Sequence, residues 1–240
     1  MSAQISLGTV QFGSDYGISN KLGQPSDKEV KKILERAYEL GVRNIDTAAL
    51  YGSSEHVLGK YDLSKWYVTT KISINPAQFN LGKILEKKVE ESLKRLNINQ
   101  LDCLLLHDSS LLLNEDNKNI IIENFASMKC KGLTKNIGIS IYDIDILDKI
   151  KNNLKYFDTI QSPLNILDQR IMISGWIERL SKLKINLQIR SIFLQGLLLM
   201  NYSDQINKFP DWSHLWKSWH NWLQENNITP LEACITFANS

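Results

Sequence analysis

Two rhythms of apolar residues alternate along the chain. Short apolar runs at residues 5–13, 42–47, 66–72, 101–107, 136–140, 158–161 and 187–192 have strand length. The run at 101–107 is apolar on both faces, as a buried parallel strand is. Between these runs the period lengthens. Val30, Ile33, Leu34, Ala37, Tyr38 and Leu40 make one helical face, opened by a capping box at Ser26 and Glu29 and closed by Gly41. Ile84, Leu85, Val89, Leu93 and Leu96 make another over residues 81–96. Further helices are predicted near 53–60, 120–131 (with Gly132 at its end), 144–154 and 175–183. A tryptophan stripe follows at Trp212, Trp216 and Trp219, continued by Leu223, and then a second capping box at Thr229 and Glu232, with Pro230 at the first helical position. The stripe either packs a helix on the body of the protein or walls part of a substrate pocket.

Strand and helix alternate with short connections, which implies βαβ units and a parallel sheet. Neither a composition shift nor a flexible linker divides residues 1–240, so one domain is expected. A doubly wound sheet is an alternative, but no Gly-x-Gly-x-x-Gly lies between a strand and a helix. Seven successive units favour an α/β barrel of the (β/α)8 TIM type, with the eighth strand and helix expected to be missing from this chain. Such a sheet would expose the edges of its first and seventh strands, or another element would cover them.

Composition narrows the function little. The chain has 240 residues, 43% hydrophobic and 22% charged, with a formal net charge of +2, so neither a nucleic-acid partner nor a basic membrane-binding surface is suggested. No apolar run reaches the length of a membrane span, and the start lacks a signal-peptide pattern. Cys103, Cys130 and Cys234 are too few and too scattered for a disulfide framework or a metal site. The expected setting is a reduced cytoplasm.

Candidate chemistry sits where strands end. Asp46 and Tyr51 follow the second strand, Lys71 ends the third and His107 the fourth. In a barrel these ends share one rim. A lysine there needs a counter-ion, and Asp46 is available. A phenol beside the ammonium would have a lowered pKa, making Tyr51 a better proton donor. A neutral His107 could orient or polarise a carbonyl oxygen. Separately these residues read as a structural ion pair, a rim aromatic and a core histidine. Together they form a proton-delivery site without a nucleophile, which suits reduction of a carbonyl by hydride from a bound cofactor. Lys71 as a Schiff-base nucleophile is a further alternative.

Asn44-Ile-Asp-Thr-Ala-Ala-Leu-Tyr-Gly52 with Glu55 and Gly59, Thr70-Lys71, Leu105-Leu-His107 and the opening Leu7-Gly-Thr-Val-Gln-Phe-Gly13 resemble the aldo-keto reductases, over nearly the whole chain. The resemblance implies a (β/α)8 barrel binding NADPH, with Tyr51 as general acid, Lys71 and Asp46 tuning it, and His107 orienting a small carbonyl substrate such as an aldehyde, ketone or sugar. It also implies cofactor contacts at Ser140 and Gln161 for the nicotinamide carboxamide. Arg190 would stand in for the tyrosine that stacks on the nicotinamide, and Ser191 would face the pyrophosphate. Ile141 stands where many members have asparagine. Members normally add an eighth strand and helix whose loop grips the adenosine 2′-phosphate. A non-catalytic relative that binds a nucleotide or partner is the second reading. Substrate-shaping loops are expected at 108–119 and in the tryptophan segment, and Trp66 is expected to lie apart from the site.

Overall fold

The computed structural model describes residues 4–77 and 80–239. Seven parallel strands lie side by side in chain order: β1 (Ser6–Gly8), β2 (Asn44–Asp46), β3 (Tyr67–Ile72), β4 (Leu101–Leu106), β5 (Thr134–Ser140), β6 (Thr159–Pro163) and β7 (Asn186–Arg190). That neighbour-to-neighbour order is the winding of a β/α barrel, and a doubly wound sheet, whose order reverses, is ruled out. Among the described residues no eighth strand joins the sheet, and β1 and β7 each have a single neighbour.

Helices fill the connections. They are α1 (Val10–Gly13), α2 (Asp27–Glu39), α3 (Ser54–Leu58), α4 (Leu81–Leu96), α5 (Glu115–Cys130), α6 (Asp145–Lys149), α7 (Arg170–Ile173) and α8 (Trp176–Lys182). After β7 come α9 (Tyr202–Lys208), α10 (Ser213–Glu225) and α11 (Pro230–Asn239). Both capping boxes form. The Ser26 hydroxyl accepts from the Glu29 amide while Glu29 accepts from the Ser26 amide, and Thr229 and Glu232 reciprocate in the same way.

The strands bury Ile45, Val68, Ile72, Leu104, Leu106, Ile137, Ile139 and Ile160 against helix residues such as Val30, Leu85, Val89, Ile121, Phe125 and Leu180. The helices cover the sheet because their apolar stripes have nowhere else to go. Trp216 and Trp219 are buried in smaller clusters beyond β7, the latter with Leu198, Leu223, Ala233 and Cys234. Packing therefore accounts for the helical part of the tryptophan stripe, whereas Trp212 precedes α10 and is mostly exposed.

Two local expectations change. The first apolar run stops pairing at Gly8, and Val10–Gly13 turns into a helix that sends Phe12 into the core. The segment at 108–119 is not an open loop. A 3-10 turn over Ser109–Leu113 leads directly into α5, whose first turn is capped by Asn114.

Candidate active site

The parallel register brings the strand ends to one rim. Asp46 sits beside Gly8 on one side and Thr69 on the other, Lys71 beside Leu105, and Ile72 beside Leu106. The His107 amide continues the ladder by donating to the Ile72 carbonyl at 2.8 Å. Asp46, Lys71 and His107 thus sit on three adjacent strands, with Tyr51 on the turn after β2.

That turn is held by backbone packing. A Cβ on Gly13 would lie 1.9 Å from the Tyr51 carbonyl oxygen and 2.2 Å from the Ser54 amide nitrogen. Gly52, with φ of +55°, would place one 2.1 Å from the Gly13 carbonyl oxygen. Neither position has room for any other residue, and the second also needs glycine's left-handed freedom. Beneath the turn, the buried hydroxyls of Thr9, Thr47 and Ser54 form a small network, with Ser54 3.0 Å from Thr9 and 3.1 Å from Thr47.

Lys71 is 1% exposed, and all three of its ammonium protons are used. Nζ donates to both carboxylate oxygens of Asp46 at 2.7 Å and to the Thr47 carbonyl at 3.0 Å. Burial pushes the ammonium's pKa down, and Asp46 opposes that. An amine so engaged and enclosed is a poor Schiff-base nucleophile.

Asp46 is also the end of a second chain of hydrogen bonds. Gln161 donates to its Oδ1 at 2.7 Å and to the Gln188 side chain at 3.3 Å, and Ser140 donates to Gln161 Oε1 at 3.1 Å. Ser140 and Gln161 face each other across β5 and β6, and both are buried. Gln188 was not singled out in the sequence. Its signal was strand alternation, which puts it on the same face of β7 as Arg190.

Tyr51 lies 5.0 Å from Lys71 Nζ, measured to the ring centroid, and meets the His107 ring edge-on at 5.9 Å. The expected lowering of its phenol does not occur. Burial and the Asp46 carboxylate raise the Tyr51 pKa, and Arg190 is the cation that works against them. The reason is geometric: Lys71 spends its protons on Asp46 and Thr47 and makes no hydrogen bond to the phenol among the described residues. His107 is pushed down to about 4 by burial and by the charges of Lys71 and Arg190, so it is neutral at pH 7. Its Nδ1 is buried without a partner.

Arg190 and Ser191 lie at the end of β7. The guanidinium stacks over Tyr142 with Cζ 4.0 Å from the ring centroid, and it donates to the Ile141 carbonyl at 2.9 Å and to the Ser191 hydroxyl at 3.2 Å. In this structure Arg190 is therefore packed on a neighbouring aromatic. Behind the tetrad, Glu55 is 2% exposed and accepts from Thr70 at 2.5 Å and from Arg95 Nε at 2.7 Å, tying β3 to α3 and α4. A separate cleft of about 610 Å³ lies where β3, β4 and β5 begin, lined by Trp66, Gln100, Asp102 and Lys135 among others. It contains none of the tetrad.

Among the described residues no group of His, Cys, Asp and Glu could hold a metal ion, and no helix is long and apolar enough to cross a membrane. Cys103 and Cys234 are buried free thiols, pushed up by burial to about 12 and about 11.

Known proteins resemble the chain in sequence and, among solved structures, in fold. D-arabinose 1-dehydrogenase of Saccharomyces cerevisiae is 25% identical over 210 residues, covering 80% of this chain and 62% of its own length. Methylglyoxal reductase DkgB of Escherichia coli is 33% identical over 136 residues, covering 51% of this chain and 46% of its own. The chain thus spans less than two thirds of the length of these curated relatives. An aldo/keto reductase from Klebsiella pneumoniae, solved in complex with NADP and acetate, superposes with a TM-score of 0.67 at 18% identity, over 95% of this chain and 74% of that one. The model of the aldo/keto reductase family matches residues 4–240, so the chain belongs to that family.

Proposed function

We propose that the protein reduces the carbonyl group of a small molecule to an alcohol, using NADPH, with Tyr51 as general acid. The convergence of Asp46, Tyr51, Lys71 and His107 at the ends of adjacent strands carries this reading. Family membership and the reductases and dehydrogenases among its relatives agree with it.

The donor set suits a nicotinamide. Ser140 and Gln161 offer a hydroxyl and an amide side by side in a buried setting, complementary to the donor and acceptor of a carboxamide. Ser191 and Arg190 lie at the next strand end and complete the group of residues that would hold the cofactor. When bound, the reduced nicotinamide supplies the hydride. Tyr51 holds the proton destined for the carbonyl oxygen. His107, being neutral, has one N–H with which to orient that oxygen. As the Tyr51 proton leaves, the charge of Arg190 opposes the burial that disfavours the phenolate, while Asp46 fixes the Lys71 ammonium 5.0 Å from the ring.

The test is NADPH oxidation with a panel of aldehydes, ketones and sugars, comparing the wild-type protein with Tyr51→Phe. Loss of turnover by at least about 100-fold is expected from removing a general acid. Turnover that survives the substitution overturns the role of Tyr51.

A non-catalytic, nucleotide-binding role is the second reading, favoured by the lack, among the described residues, of a hydrogen bond between Lys71 and the Tyr51 phenol. NADPH fluorescence titration separates the two. Saturable binding with no turnover across the panel supports the second, and turnover eliminates it.

A further inference from the structure

The rim of strand ends carries one positive charge too many. Lys71 is neutralised by Asp46, and behind them Glu55 is paired with Arg95. Asp168, which feels the charge of Arg190, is held by Arg170 through two bonds of 2.9 Å. His107 is neutral, and Tyr51 keeps its proton. Arg190 is left over: among the described residues it makes no ion pair, and its hydrogen bonds go to a carbonyl and a hydroxyl. It is also fixed. Stacking on Tyr142 holds the plane of the guanidinium, and the contacts to Ile141 and Ser191 hold its edge. Its Nε is buried without a partner. With that edge engaged or enclosed, Arg190 acts on a neighbouring ligand through its charge rather than through a hydrogen-bonding fork.

Strand register places that charge. Gln188 accepts from Gln161 at 3.3 Å, and Gln161 in turn accepts from Ser140. Arg190 lies two residues further along β7 on the same face as Gln188, about 7 Å away at the rise of a strand. Ser140 and Gln161 are the residues proposed to receive the nicotinamide carboxamide, so the ring would lie beside an uncompensated cation. His107 shows what this rim does to a second positive charge: burial and the charges of Lys71 and Arg190 push its pKa down to about 4. A nicotinamide exists in two charge states. The reduced ring is neutral, whereas the oxidised ring, having given up a hydride (a proton with two electrons), carries one positive charge. The rest of the cofactor is the same in both forms.

Resting on the reductase reading, we infer that Arg190 makes the site select the reduced cofactor over the oxidised one, by repelling the cationic form of the ring. It is a specificity-determining residue for the cofactor's redox state. Repulsion between unit charges some 7 Å apart near a protein surface weakens the oxidised form relative to the reduced one by about tenfold or more. A protein facing a mixture of the two would then load the form that can deliver hydride and release the oxidised form afterwards. The same repulsion opposes the charge that develops on the ring during hydride transfer, so the gain lies in loading and release rather than in the chemical step. No N–H of Arg190 has to be free, because the effect acts through the field of the group.

Binding, rather than turnover, tests it. Dissociation constants of NADPH and of oxidised NADP are measured by calorimetry for the wild-type protein, Arg190→Met and Arg190→Lys, with 2′,5′-ADP, which lacks the nicotinamide, as the control ligand. Wild-type protein is expected to bind NADPH more tightly than oxidised NADP. Arg190→Met, which removes the charge and keeps an unbranched stem, should lower the ratio of the two constants by about tenfold, and Arg190→Lys should retain most of it. The ratio is internal to each variant, so a uniformly loosened site leaves it readable. No preference for NADPH in the wild type, or a ratio unchanged in Arg190→Met, would overturn the assignment. Equal losses for NADPH, oxidised NADP and 2′,5′-ADP would overturn it too, marking Arg190 as a phosphate ligand. Binding of neither form by the wild type removes this inference and the reductase reading together. Selection without turnover across the carbonyl panel sinks the reductase reading and leaves the charge selection standing; turnover without selection does the reverse.

Discussion

Asp46→Asn removes the negative charge beside the most deeply buried cation among the described residues. In the native site Lys71 Nζ is 2.7 Å from each Asp46 oxygen, and the lysine is 1% exposed. Asparagine can keep an acceptor at the Oδ1 position, where Lys71 and Gln161 both donate, but it places an NH2 against Nζ where Oδ2 was. Removing one partner of a buried ion pair costs about 3–5 kcal/mol. Deprotonation sets a ceiling: neutralising a lysine of unfolded pKa near 10.4 at pH 7 costs about 5 kcal/mol. The variant should therefore lose about 3 kcal/mol or more at pH 7. With Lys71 neutral when folded and charged when unfolded, the unfolded chain binds the extra proton. Stability then rises with pH, by up to about 1.4 kcal/mol per unit, from the folded-state pKa up to about 10.4. Urea unfolding at pH 7 and pH 9 measures both effects, with an unchanged m-value as the check on two-state behaviour. Lys71→Met and the double variant complete a cycle, with a coupling of about 2–4 kcal/mol expected because removing both charges leaves nothing uncompensated. A loss below about 1 kcal/mol at pH 7, or a coupling of that size, would show that the pair is not the electrostatic unit its geometry implies.

Four further outcomes follow from other parts of the site. Because His107 is held neutral down to about 4, the acid limb of the kcat/KM profile assigned to it should lie well below 6.5; a limb at 6.5 that disappears in His107→Gln would contradict this. Its folded pKa lies below the unfolded value, so its contribution to stability is complete above about 6.5 and is lost as pH falls towards 4, with a slope near 1.4 kcal/mol per unit that His107→Gln should remove from acid-unfolding curves. Gly13→Ala, whose Cβ would meet the Tyr51 carbonyl oxygen at 1.9 Å, should destabilise by roughly 3 kcal/mol in urea and depress turnover through displacement of Tyr51. Glu55→Gln should cost about 2 kcal/mol by the same assay, since Thr70 and Arg95 lose a shared charged acceptor while Arg95, 36% exposed, can turn to water.

Much of the scaffold was legible because local signals agreed with the fold. Helix α4 occupies residues 81–96 as its apolar spacing requires, and the boxes at Ser26 and Thr229 start helices where they should. Failures have physical causes. Val10 and Phe12 alternate as a strand would, yet β1 pairs only to Gly8, and Phe12 reaches the core from a helical turn. The first turn of α5 is polar, so periodicity located only its apolar remainder, and Asn114 was the signal to follow. Helix α9 carries no sequence signal of its own, because it buries Gln205, which donates to the Leu197 carbonyl, in place of an apolar stripe. In the site, the four residue types at the strand ends could be read directly. The state of Tyr51 could not, since it depends on where three protons of Lys71 point, which spacing along a chain does not encode.

The two sides of the site are built differently, and the difference is testable at the loop after β7. Around β2 to β4 the residues are locked by glycine contacts, buried hydroxyls and ion pairs. After Arg190, the chain runs through Ser191, Leu194 and Gln195 with φ of +60°, +47° and +57°, and into Gly196 at +84°. Left-handed backbone at a residue other than glycine costs of order 1 kcal/mol or more and persists only where its surroundings impose it. Here Asn165 donates to the Ser191 carbonyl at 3.1 Å, and Ile18 donates to the Gln195 carbonyl at 2.9 Å, pinning the loop from the turn after β6 and from the segment after α1. Gln195 is exposed, so replacing it removes little packing. Gln195→Gly should relieve the strain and raise stability, by up to about 1 kcal/mol after glycine's larger unfolded-state entropy is subtracted. If the strain serves to hold Arg190 and Ser191 in place, the same variant should bind cofactor or substrate more weakly while unfolding later in urea. Greater stability with unchanged binding would show the strain to be incidental to the site, and lower stability would show that the pinning contacts depend on the glutamine itself.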